Sequence, residues 1–265
     1  MRSLARTATR LLAAAVLLAG GSLAASPATA IVGGSHAEEG EFPFMASIQD
    51  KGRDGTDGHF CGGSVIGSRW VLTAAHCLVD TKPHQIQVGV GRADIDDLSA
   101  GQTLSVDRII VHPDYETTDT YDAALVRVTQ DIASPSIALT DVGEDSLEAH
   151  GARLTVAGWG TEFFGSPFIP ARLKSVDVEA VADQQCRTNA AMGFRPESEI
   201  CAETLGGDSC QGDSGGPLFG TVAGRVTQVG IVSYGLGCAT PQFPGVYGEV
   251  NNPSIRGFIT QHTGI

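Results

Sequence analysis

The chain has 265 residues, enough for one large or two small hydrophobic cores. It carries 17 Lys and Arg against 30 Asp and Glu, a formal net charge of −13; so acidic a surface repels phosphate backbones and anionic lipid, which argues against nucleic-acid or membrane binding. Its 6 cysteines include no Cys-x-x-Cys pair and point to disulfides in an oxidising compartment rather than to a metal site.

Residues 1–30 read as a secretory signal peptide. Arg2, Arg6 and Arg10 form a basic start, Leu11–Gly20 an apolar run too short to span a bilayer, and Ala28-Thr29-Ala30 a small-residue cleavage site. The predicted product is secreted and extracellular, with no membrane attachment once the leader is gone. The leader holds three arginines and no acid, so residues 31–265 carry 14 basic and 30 acidic side chains, net −16.

Beyond the leader, short apolar runs with a period near two are separated by Gly, Pro, Asp and Ser. Strands are predicted near Ile86–Val90, Leu104–Val111, Leu125–Val128, Leu154–Ala157, Val226–Val232 and Gly245–Val250. In Lys174–Ala180 the valines and the alanine are expected on one face and the polar residues on the other. The 34 glycines suit a chain dense in tight turns and bulges. One helix is expected, at about residues 253–262, with Asn252 as its cap, Pro253 at its first position and Ile255, Phe258 and Ile259 at helical spacing. The residues alone lead to an all-β chain, an antiparallel barrel or sandwich.

Three segments carry chemistry. Asp208–Pro217 reads Asp-Ser-Cys-Gln-Gly-Asp-Ser-Gly-Gly-Pro, and upstream stand Thr73-Ala74-Ala75-His76-Cys77 and Tyr121-Asp122-Ala123-Ala124-Leu125. A serine hydroxyl is a weak nucleophile at neutral pH, so Ser214 needs a base in hydrogen-bond reach, and His76 is the candidate. Asp122 stands at the mouth of an apolar strand, where a carboxylate requires a partner; its predicted role is to fix the tautomer of His76 and stabilise the imidazolium. Asp94, Asp96 and Asp97 form an acidic loop whose spacing matches no defined calcium loop, and they read as solvated acids. No metal and no cofactor are expected.

These motifs, in the order His76, Asp122, Ser214, resemble the chymotrypsin-like (S1) serine proteases, and Asp208, six positions before Ser214, resembles the trypsin branch. Tyr121 stands where relatives commonly have Asn. The Ala- and Gly-rich composition is similar to secreted bacterial trypsins. The resemblance covers essentially all of Ile31–Ile265 and implies two antiparallel six-stranded β-barrels, roughly residues 31–140 and 141–250, with the active site between them and the helix at the C-terminus.

It further implies an oxyanion hole at the Gly212 and Ser214 amides, and bridges Cys61–Cys77, Cys186–Cys201 and Cys210–Cys238. By pattern alone, 6 cysteines allow about fifteen pairings. Asp208 would sit at the base of a pocket for Arg or Lys, with Ser209 at the bottom, Gly235 and Gly245 in the walls and Tyr247 behind. Ser233, Tyr234 and Gly235 would pair with extended substrate, Tyr234 replacing the more usual Trp. Ile31 resembles the mature N-terminus whose ammonium pairs with Asp213. The expected partners are protein or peptide substrates and protein protease inhibitors, and the expected state is a monomer. The alternatives are a silent protease-like binding protein, or an active protease of narrowed or broadened specificity, with Leu236 and the loops near residues 54–58 and 163–170 limiting access.

Overall fold

The structure, a computed structural model, describes residues 31–188 and 193–265; the leader lies outside the described residues. The first half of the chain builds strands β1 (Ser35–His36), β2 (Met45–Asp50), β3 (His59–Gly67), β4 (Trp70–Thr73), β5 (Ile86–Val90), β6 (Gln102–Val111) and β7 (Ala124–Val128). Strands β2-β3-β4-β7-β6-β5 close into an antiparallel barrel. Its interior is filled by Ile48, Val65, Val71, Val88, Leu104 and Val126.

The second half contributes β8 (Ala138–Leu139), β9 (Arg153–Gly158), β10 (Lys174–Val181), β11 (Glu199–Glu203), β12 (Pro217–Val222), β13 (Arg225–Tyr234) and β14 (Gly245–Glu249). The order β10-β11-β14-β13-β12-β9, together with the β9–β10 pairing, closes a second six-stranded barrel; β1 adds to β10, so the N-terminal segment is sewn to the second barrel. Barrel closure leaves no long exposed edge on either sheet. Among the described residues, no helix is long and apolar enough to cross a membrane.

A third apolar cluster joins the barrels. It unites Met45, Leu72 and Leu125 from the first with Trp159, Phe219 and Ile231 from the second. Within the interface Ser64 Oγ donates to Gln228 Oε1 at 2.6 Å, pairing two buried polar groups that would otherwise oppose burial. The predicted helix is α3 (Pro253–Thr263), which follows two short helices, α1 (Tyr115–Thr118) and α2 (Asp183–Thr188), that the sequence pattern did not announce. Asn252 Oδ1 accepts from the Ser254 and Ile255 amides as an N-cap should, and Ile255, Phe258 and Ile259 are the buried face.

One expectation needs correction. By strict alternation Lys174 shares the face of Val176, Val178 and Ala180, and it is fully buried there rather than grouped with the polar residues. Its ammonium meets Glu162 at 3.1 Å, which offsets the cost of taking the charge out of water.

Candidate active site

Strand pairing brings His76 and Asp122 together. β4 and β7 run antiparallel with Thr73 opposite Ala124, so the turn after β4, which carries His76, lies beside the residues entering β7, which carry Asp122. Asp122 Oδ1 accepts from the His76 amide at 2.9 Å, and Oδ2 lies 2.7 Å from His76 Nδ1. An ionised carboxylate only accepts, so the Nδ1 proton is fixed and the lone pair is left on Nε2. Burial alone pushes the Asp122 pKa up, but the hydrogen bonds and charge of His76 and the hydroxyl of Ser233 outweigh it and hold the group below the usual carboxylate range. The Ser233 contact comes from the other barrel, Oγ donating to Asp122 Oδ2 at 2.5 Å. The β13–β14 register shifts between Val232 and Tyr234, an irregularity that falls at Ser233.

Ser214 reaches the same place from the second barrel. Gly62 of β3 donates its amide to the Ser214 carbonyl at 2.8 Å, and Cys77 Sγ lies 3.7 Å from both that carbonyl and His76 Nε2. Among the described residues Ser214 Oγ makes no hydrogen bond to His76; free enzymes often show this contact long, and it tightens with substrate. The Cys61–Cys77 bridge, Cα–Cα 6.4 Å, braces the His76 turn against β3.

The segment before Ser214 is held by its carbonyls. Gln211 O accepts from Thr161 N at 2.7 Å and Asp213 O from Gly216 N at 2.9 Å. Among the described residues no peptide bond is cis, so the amides of Gly212 and Ser214 point away from those partners, and neither donates to any described residue. Gly212 has φ +97°, a conformation that favours glycine, and a Cβ there would lie 2.9 Å from Ile169 Cδ1.

His59 is a contributor the sequence reasoning missed. Its Nε2 lies 2.9 Å from the Gly212 carbonyl and its Nδ1 2.7 Å from Ser47 Oγ, so Nε2–H donates to the carbonyl and Nδ1 accepts from the hydroxyl. Burial lowers its pKa to about 4, keeping it neutral. The available signal was a histidine two residues before a cysteine, in a run with little polar alternation.

Asp208 is almost wholly buried and lines a cavity. It accepts from Ala239 N at 2.9 Å, and burial, only partly countered by hydrogen bonds from Ala239 and Ser209, raises its pKa to about 6. A Cβ at Gly245 would lie 2.9 Å from Asp208 Oδ1 and 3.1 Å from the hydroxyl of the buried Tyr247, so glycine keeps this wall open. Cys210–Cys238, Cα–Cα 5.3 Å, ties the Ser214 segment to the opposite wall, while Cys186–Cys201, Cα–Cα 6.3 Å, joins α2 to β11. A cavity of about 900 Å³ reaches Asp208 between residues 203–208 and 239–245; neither His76 nor Ser214 lines it.

Ile31 is completely buried at φ +44°, and Asp213 is buried too. Asp213 accepts from Gly160 N at 2.7 Å and Cys210 N at 2.8 Å, and among the described residues no cation pairs with it. Burial raises its pKa to about 7 against those two hydrogen bonds.

Among the described residues, the one compact group of potential metal ligands is Cys61, His76 and Cys77, and disulfide formation leaves it no thiolate. In the acidic loop Asp96 accepts from Thr56, Asp97 from Ser99, and Asp94 from the Asp96 amide. Asp94 and Asp97 are thus engaged within the loop, and Asp96 ties it to the segment Gly55–Asp57.

Residues 31–255 match the sequence model of the family described as Trypsin. The chain belongs to the trypsin family. Hypodermin-B of Hypoderma lineatum is 37% identical over 238 residues, covering 88% of this chain and 87% of the relative. Trypsin of Simulium vittatum is 42% identical over 229 residues, covering 82% and 87%. Trypsin alpha-4 of Lucilia cuprina is 39% identical over 224 residues, covering 83% of each. These trypsin-family relatives are insect proteins, not the bacterial ones that composition suggested. As a member the chain is a serine endopeptidase, a hydrolase acting on proteins.

Proposed function

We propose that this endopeptidase cleaves after Arg or Lys, with His76, Asp122 and Ser214 as its catalytic triad. The clasp of Asp122 on His76, beside Ser214, carries the reading. As Ser214 Oγ bonds to the substrate carbonyl carbon, its proton passes to His76 Nε2 and the carbonyl electrons move to oxygen, where the Gly212 and Ser214 amides receive the charge. The C–N bond breaks as His76 returns the proton to the leaving amine, giving an acyl-enzyme. Water then attacks the ester as His76 takes its proton, and His76 returns that proton to Ser214 Oγ as the C–O bond breaks, releasing the acid and free Ser214.

Asp208 supports the choice of residue. A nearly buried carboxylate with no cation beside it is costly, and the side chain of Arg or Lys entering the pocket neutralises it, Arg by a two-point contact. Ser209, Gly235 and Gly245 shape the pocket, and Ser233, Tyr234 and Gly235 receive the extended substrate backbone. The decisive experiment is hydrolysis of an arginyl anilide by purified protein starting at Ile31, compared with Ser214→Ala. Activity that survives the substitution overturns the assignment.

Maturation follows from Ala30-Ile31. Signal peptidase, acting on the leader, releases the Ile31 ammonium, which pairs with Asp213 and orders the oxyanion segment, so the two barrel halves are secreted as a monomer open to substrates and protein inhibitors. Secreted protein whose N-terminus lies upstream of Ile31, active only after a later cut, would refute this.

A further inference from the structure

We infer that the loop from Lys51 to Gly58 is the protein's own first cleavage site, and that one cut there leaves the N-terminal segment held only as a bound peptide. The inference rests on the Arg/Lys reading above and deepens it. Every Lys and Arg beyond the leader lies in a described residue, and the fold withholds the bonds that follow all of them except Lys51 and Arg53.

A protease takes its substrate as an extended strand, so a bond is open to attack only where the residues on both sides of it can leave the fold. Arg108, Arg127, Arg153 and Lys174 stand in paired barrel strands, and Arg256 lies inside α3. Arg187 lies in α2, and its neighbour Cys186 is completely buried in a disulfide. Arg69 and Arg225 stand at two-residue hairpin turns, where Gly67 pairs with Trp70 and Val222 with Arg225; neither turn can extend without unzipping a barrel. Arg92 is buried, and so is Leu173, which follows Arg172. Lys82 and Arg195 each precede a proline, which restricts their backbone and puts a ring carbon where the leaving amine would carry hydrogen.

Lys51 and Arg53 remain. Residues 51–54 are all exposed, and the Arg53–Asp50 ion pair, 3.6 Å between side chains more than half exposed, adds little. Apart from the Arg53 amide, which donates to Asp50, the hydrogen bonds of residues 52–54 go to one side chain. Gln87 Nε2 donates to Asp54 Oδ1 at 2.8 Å and to the Arg53 carbonyl at 3.3 Å, and Gln87 Oε1 accepts from the Gly52 amide at 3.5 Å. Peeling this stretch away uncovers almost no apolar surface, which is the condition for local opening without unfolding.

Hydrolysis adds water across the opened bond: the C–N bond breaks, leaving a carboxylate on Lys51 or Arg53 and an amine on Gly52 or Asp54. All three disulfides join cysteines beyond the loop, so no covalent link holds the released piece. It stays because β2 is paired to both β3 and β5 and buries Met45, Ala46 and Ile48. Ile31 belongs to that piece, so a cut molecule keeps its N-terminus only while β2 stays in the barrel.

In the test, folded Ser214→Ala protein is the substrate and a trace of active protein the enzyme, with products read by mass and N-terminal sequencing. The first new N-terminus is expected at Gly52 or Asp54. Adding Lys51→Gln and Arg53→Gln to the substrate is expected to slow cutting at least about tenfold, because no other site opens as readily. A first cut anywhere else, or equal rates for the two substrates, overturns the inference. Active protein cut at the loop is expected to keep its arginyl-anilide activity in buffer, and to lose it for good after urea from which the uncut Lys51→Gln/Arg53→Gln protein recovers. Inactivity in buffer, or equal recovery, overturns the bound peptide. Reduced, unfolded Ser214→Ala chain is the control: if active protein does not cut it after Arg and Lys, the specificity reading falls and takes this inference with it. If the unfolded chain is cut and the folded one stays whole, only this inference falls.

Discussion

Val32 and Asp208 exchange both of their main-chain hydrogen bonds, each 3.1 Å, which seats the segment that begins at Ile31 directly against the pocket floor. The position of the Val32 backbone and the position of the Asp208 carboxylate are therefore one variable. Val32→Pro removes the donated N–H, and one such bond is worth roughly 1 kcal/mol or more, so kcat/KM on an arginyl anilide should fall about tenfold. A substrate with an uncharged side chain in the pocket should be affected less, and steady-state kinetics on the two settle it.

Asp208 should print its titration on selectivity. With its pKa raised to about 6, the free pocket is neutral in acid and negative above that point, so kcat/KM for arginyl substrates should rise with pH through this range. Asp208→Asn should abolish the part of the step that a substrate with an uncharged side chain does not share, and reduce the preference for arginine over that side chain by roughly 100-fold or more, since it leaves a buried cation unpaired. A pH profile measured with both substrates is the check.

Asp213 makes a prediction about stability. Its pKa in the fold, about 7, lies above the unfolded value near 4, so the folded state holds a proton that the unfolded chain has already lost between those limits. In protein whose Ile31 nitrogen is still in a peptide bond, stability should be fully present below about pH 4 and decline by a few kcal/mol as pH rises to about 7. Asp213→Asn should flatten that slope, and cleavage before Ile31 should remove it. Melting temperatures across the range, taken on a Ser214→Ala background, test both.

His59 is expected to act on the rate rather than on binding. Replacing it with Phe frees the Gly212 carbonyl and loosens the neighbouring amide, and losing one oxyanion donor typically costs ~10²-fold or more in kcat. A fall in kcat of at least tenfold with KM nearly unchanged is expected. If KM rises while kcat holds, the carbonyl contact is not what orients that segment.

The strands legible in the sequence were those with apolar and polar residues in turn, such as β5, β6 and β13. β2 and β3 escaped because both their faces are covered: Ser47, Gln49 and Ser64 are buried polar residues, Gln49 paired with Ser47, Ser47 with His59 and Ser64 with the distant Gln228, and alternation vanishes where no face is wet. Lys174 misled for the converse reason, a charged residue on a dry face with a distant acid as its partner. The candidate site residues stood out because the proposed catalysis demands particular side chains in short runs. His59 and Gly160 did not, because their contributions depend on neighbours as much as 153 positions away.

The carbonyl of Ser214 hangs from the amide of Gly62, and the carboxylate of Asp122 is shared with Ser233, so each barrel grips a working part of the other. Turnover thus reports on the alignment of two bodies, each able to keep its own hydrogen-bonded sheet. On warming, the protein should fall silent as a catalyst while its far-ultraviolet circular dichroism is still intact, because a slip of about one ångström at the seam is enough to misplace reacting groups.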